Sequence, residues 1–91
     1  MRDDLLKAID WALGGQWDPA HRMVQQHEAD LTACWIHAVL HKIEGDLGNS
    51  RYWYRRAGKL EFIDWEPGDE LREIKTLLAG PEPDNQALNP Q

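Results

Sequence analysis

Residues 34–57 read CWIHAVLHKIEGDLGNSRYWYRRA, and the reading of this stretch decides the fold. Its first half sets Trp35, Ile36, Val39, Leu40 and Ile43 at three- and four-residue intervals, the period of one buried helical face. Gly45 ends that helix, since glycine takes the left-handed backbone of a helix C-terminus without a steric penalty. Gly48-Asn49 introduces a second helix that carries Ser50, Trp53, Tyr54, Ala57 and Leu60 on one side. Two helices joined by so short a turn lie antiparallel. They leave apolar surface that only a neighbouring unit can cover.

Such a neighbour is written thirty residues earlier. Ala8-Ile9, Leu13, Gly15, Trp17, Ala20 and Val24 stand in the same register as Ala38-Val39, Ile43, Gly45, Leu47, Ser50 and Tyr54. The repeated element is chemical: an apolar stripe, a glycine, then a helix opened by a small residue. Helix one is expected over about residues 3–14, stopped by Gly14-Gly15. Asp18-Pro19 is expected to start helix two, with Asp18 as cap and Pro19 in the first turn. Ala20, Met23, Val24 and His27 form its stripe, and it fades near Ala29-Asp30.

Beyond the second hairpin, Phe62, Ile63 and Trp65 make an apolar connector. Pro67 opens helix five, with Asp69 and Glu70 in its first turn and Leu71, Ile74, Leu77 and Leu78 as its stripe. Helix five has no counterpart thirty residues back, so it reads as a cap over the end of the last repeat. The expectation is an all-α domain over 1–80, two stacked antiparallel hairpins plus a capping helix. Residues 81–91, with three prolines, read as a disordered tail.

Composition excludes several function classes. The chain has 91 residues, 42% of them hydrophobic, and a net charge of −6. That balance disfavours nucleic acid and anionic membranes as partners. No apolar run is long enough to span a bilayer. The single cysteine, Cys34, rules out an internal disulfide and fits a reduced, cytoplasmic setting. An acidic start, Met1-Arg2-Asp3-Asp4, does not look like a secretory leader.

The second hairpin resembles a tetratricopeptide repeat. Ala38 stands at that family's small helix-crossing position, Gly45-Asp46 at its turn, Ser50 at its second small position, Tyr54 at its aromatic and Ala57 at its last alanine. Trp35 lies one residue from the family's tryptophan position, and the spacing of thirty is shorter than the family's about 34. The segment WIHAVLHKIEGDLGNSRYWYRRAG is also similar to a signature of small bacterial proteins with no assigned activity. The tetratricopeptide resemblance implies a right-handed helical stack that binds a protein or peptide, is not an enzyme, and needs no cofactor. It implies a binding face on the first helices of the hairpins: Leu5, Ile9 and Leu13, with Trp35, Val39 and Lys42. That face is too apolar to stand open, so either the connector with helix five or a second copy of the chain covers it. The narrow stripe of helix five favours a homodimer.

Three constellations stand apart from the core pattern. His37, His41 and Glu44, at i, i+4 and i+7, share one helix face and could hold a metal ion, with His21 or His27 as a further ligand. The pattern is not HExxH, because Ala38 occupies the place of the catalytic glutamate, and structural histidines bonded to Tyr54 or a carbonyl are the commoner arrangement. A metal-binding protein or metal-dependent enzyme is thus the rival to the interaction module. Arg51, Arg55 and Lys59 form a basic row beside Tyr52, Trp53 and Tyr54. The row either meets a phosphate or base, or is a solvated face paired with Glu44, Asp46 or Glu61. Trp11 and Trp65 lie off the main stripes and are candidate exposed anchors.

Overall fold

The computed structural model describes residues 1–80, and the expected tail at 81–91 lies outside them. The described residues form five α-helices: α1 (Arg2–Leu13), α2 (Trp17–Gln25), α3 (Leu31–Glu44), α4 (Leu47–Ala57) and α5 (Pro67–Ala79). One 3₁₀ turn, Leu60–Phe62, precedes α5, and no strand occurs among the described residues. None of these helices is long and apolar enough to cross a membrane.

Local chemistry sets most of the boundaries. Gly45 ends α3 at φ 89°, and Asp46 then caps α4 by accepting from the Asn49 amide. Glu66 caps α5 in the same way, through the Asp69 amide, with Pro67 in the first turn. Two boundaries differ from expectation. Helix α2 starts at Trp17 instead of Asp18, without a side-chain cap, and the Trp17 indole N–H donates to the Leu40 carbonyl at 2.7 Å. A tertiary bond anchors this end. Asp30 does not close α2, which stops at Gln25. It caps α3 through the Ala33 amide at 2.9 Å.

Helices α1 and α2 pair, as do α3 and α4, and the two pairs meet through α2 on α3 and α1 on α3. Small residues sit at the crossings: Ala8, Ala20, Ala38, Ser50 and Ala57 are all buried. The Ser50 hydroxyl donates to the Ala38 carbonyl at 2.7 Å, so α4 lies close against the backbone of α3. Tyr54, Ile36, Val24 and Leu40 fill the space between.

Helix α5 corrects two expectations. It packs along α1 and α3, the first helices of both hairpins, and therefore lies across the stack, not over its end. Its Leu71 and Ile74 join the same core as Leu5, Ile9, Trp35 and Val39. The repeat resemblance assigns those four residues to a partner. At 0–2% exposure they are interior, because α5 occupies the face they form. The cover is internal, which removes the reason given for a homodimer. Leu13 keeps 36% exposure at the rim, and Lys42 turns inward.

One buried carboxylate fastens α5 in place. Glu70 accepts from the Trp35 indole at 2.8 Å, from the Tyr54 hydroxyl at 2.7 Å and from the Lys42 ammonium at 2.7 Å. Lys42 also donates to the carbonyls of Phe62, Ile63 and Trp65, which ties down the connector. Burial, then the bond to Glu70, raises the Tyr54 hydroxyl well above its ordinary pKa, so it stays a donor. A buried charge is tolerated only when it is paired and hydrogen-bonded, and Glu70 meets both conditions.

Candidate functional site

Three imidazoles converge where α2 crosses α3. The bond from Trp17 to Leu40 fixes the antiparallel register of these helices. One turn further along α2, His21 therefore meets His37, one turn back along α3. Their Nε2 atoms are 3.1 Å apart. His41 lies one turn beyond His37 on the same face, with ring centroids 4.9 Å from His37 and 5.2 Å from His21. One ligand nitrogen from each ring lies within 4.8 Å of the other two.

The rings are held from outside. Trp17 stacks on His21 at 4.4 Å between centroids, and Trp53 stacks on His37 at 3.9 Å. Glu44 accepts from the Nδ1 of His41 at 2.7 Å, so this nitrogen carries a proton. His37 and His41 are buried, while His21 is only partly covered. The buried Nδ1 of His37 has no hydrogen-bond partner among the described residues. Burial, then His21 and His41, push His37 down to about 3. Burial, then His41, lowers His21 as well. Burial thus favours the neutral form of both rings, and the contact between the facing Nε2 atoms is a hydrogen bond when one of them carries its ring's proton.

The face expected to carry His37, His41 and Glu44 is thus present, with roles redistributed. The two histidines come together, but Glu44 stands behind His41, not beside the imidazoles as a third ligand. His21 takes that third place. Sequence reasoning offers His21 only as a further ligand, because its position depends on the register of α2 against α3. His27 is elsewhere, bonded to Asp4 at 3.2 Å. Glu44 and Asp46 also gather around His41, although Asp46 is engaged as the α4 cap.

On the far side of the second hairpin, α4 exposes Arg51, Tyr52, Arg55 and Arg56. Neither Glu44, Asp46 nor Glu61 pairs with this row, and no described carboxylate lies within ion-pair distance of the three arginines. Arg56 lies 5.1 Å from the centre of the Trp53 ring and donates to the Tyr52 hydroxyl and the Glu28 carbonyl. Lys59 sits 4.6 Å over the Trp35 ring. Tyr52 keeps half of its surface exposed. Of the two candidate anchors, Trp11 packs partly against the core, and Trp65 is 42% exposed.

Cys34 is buried and donates to the Glu28 carbonyl, and its thiol pKa is raised by burial, the reverse of what a nucleophile needs. Comparison with protein-family models, with curated proteins and with solved structures finds no match to the chain.

Proposed function

We propose that this chain is a noncatalytic interaction module that receives an acidic protein segment on the outer face of α4. The observation that supports this is the row Arg51, Arg55 and Arg56, without carboxylate partners among the described residues, beside the half-exposed Tyr52. In a chain of net charge −6, α4 concentrates three of the ten basic side chains, with no acidic residue in the helix itself. Arginine and tyrosine are enriched at interfaces, where the planar guanidinium grips carboxylates through two parallel bonds. The buried small residues Ala8, Ala20, Ala38 and Ser50 support a tetratricopeptide-like stack as the scaffold beneath this face. The binding face is then α4, since α5 fills the one expected on α1 and α3.

A short acidic segment is favoured over nucleic acid as the occupant. Charges are felt over about 8–10 Å in physiological salt, so a short segment meets mainly the local arginines. A long polyanion would also meet the acidic remainder of the surface. The test is titration with a labelled Glu/Asp-rich peptide and, separately, with a single-stranded oligonucleotide. The reading expects peptide binding that weakens with salt and is lost in the Arg51→Glu/Arg55→Glu variant. Preferential binding of the oligonucleotide, or peptide binding unchanged in that variant, overturns it.

A further inference from the structure

We propose that His21, His37 and His41 form a binding site for a divalent first-row transition ion, zinc above all, that clamps α2 onto α3. This site is separate from the α4 face and stands or falls independently of it.

The spacing is the first argument. Two nitrogens bound to a tetrahedral zinc at 2.0–2.1 Å lie about 3.3 Å apart. The Nε2 atoms of His21 and His37 already face each other at 3.1 Å. Two neutral imidazoles at that distance share one proton, and an ion that replaces the proton engages both lone pairs with little movement. The third nitrogen, on His41, lies within 4.8 Å of the other two.

The support around the rings is the second argument. A metal-bound histidine typically donates its other ring N–H to a carboxylate, which fixes the tautomer and aims the bare nitrogen at the ion. Glu44 does this for His41 at 2.7 Å. Trp17 and Trp53 stack on the other two rings, so these are held before an ion arrives. His37 lacks such an acceptor at Nδ1, and ligation moves its proton to that unpartnered atom. A missing outer partner lowers metal affinity about ten- to hundredfold, which puts this site below a fully supported one. Imidazole donors suit zinc, copper, nickel and iron, and an all-imidazole set disfavours magnesium and calcium. Three protein ligands leave a fourth position for water, reached past the partly covered His21.

The experiment uses the full chain without a histidine tag, titrated with zinc chloride and with cobalt chloride. The expected results are one ion per chain, a raised melting temperature, and the intense visible absorption of four-coordinate cobalt(II). His21→Ala, on a partly covered residue, abolishes binding, and Glu44→Gln weakens it about ten- to hundredfold. His27→Ala leaves it unchanged. Nuclear magnetic resonance of the unmodified chain avoids dependence on how the variants fold. Zinc shifts the ring signals of His21, His37 and His41 and spares those of His27. No binding at up to about 100-fold excess ion, or binding that survives His21→Ala, or ring shifts confined to His27, overturns the proposal.

Discussion

Trp35 and Glu70 lie thirty-five positions apart in sequence and meet inside the core, indole N–H to carboxylate, at 2.8 Å. Around that bond the same carboxylate collects Tyr54 and Lys42, so one side chain joins α5 to both helices of the second hairpin. Glu70→Ala leaves a partly buried ammonium, a buried phenol and a buried indole without their shared acceptor. The expected loss is about 3–5 kcal/mol in urea denaturation. Glu70→Gln keeps an acceptor and costs less, about 1–3 kcal/mol. Equal effects of the two variants would mean that the charge on Glu70, and not its shape or a neutral acceptor, carries the whole contribution.

The α3–α4 turn gives a paired test. Gly45 sits at φ 89° with open space around it, so a side chain there meets backbone strain and not crowding. Gly45→Val is expected to cost roughly 1–3 kcal/mol. Gly48, in the first turn of α4, has no positive φ, and no atom lies within 4 Å of the place an added methyl group would take. Gly48→Ala is expected to stabilise by about 0.4–1 kcal/mol by restricting the unfolded chain. Opposite signs in thermal melts check the assignment.

Acid should weaken the metal-free protein through the imidazole cluster. His37 titrates near 3 when folded and near 6.5 when unfolded, and His21 is displaced in the same direction. Between those values the unfolded chain binds more protons, so stability rises with pH. The contribution is complete above about pH 6.5 and is lost progressively as pH falls toward 3. The groups facing His37 are His21 on α2, His41 on α3 and, through His41, Glu44. Melting temperatures recorded across pH 4–8 in the presence of a chelator should fall on the acid side. His37→Phe, which keeps a ring against Trp53, should flatten the curve.

Since α5 covers α1 and α3, Leu5 and Ile9 contribute to folding, not to association. Leu5→Glu/Ile9→Glu places two carboxylates in a sealed core. Loss of the cooperative melt is expected, in place of a folded monomer released from a dimer. Sedimentation of the unmodified chain should give the monomer mass at micromolar concentration.

Much of this architecture is legible in local chemistry. Gly45, Asp46 and Pro67 act through their own backbone and nearest amides, so their positions in sequence suffice to place helix ends. Asp30 shows where such reasoning fails, because an aspartate between two helices can end one or begin the next. Only the geometry of the Ala33 amide decides. The stripe of Leu71 and Ile74 says that α5 is buried on one side, but not against which neighbour. Glu70 reads as an ordinary first-turn acid and is instead the most buried polar side chain of the helix. In the candidate site, the i, i+4 spacing of His37 and His41 brings them together. His21 joins through the register of α2 on α3, which depends on Trp17 reaching Leu40.

The route by which α5 is held has a kinetic consequence. Each hairpin closes over a few residues, whereas Glu70 reaches Lys42 and Trp35 across twenty-eight and thirty-five positions. Local contacts form faster than distant ones, since the chain must lose more freedom to bring distant groups together. The hairpins are therefore expected to assemble before α5 docks, with the carboxylate latch closing last. Interactions made that late act mainly on how fast the protein comes apart. Glu70→Ala is expected to raise the unfolding rate more than it lowers the folding rate.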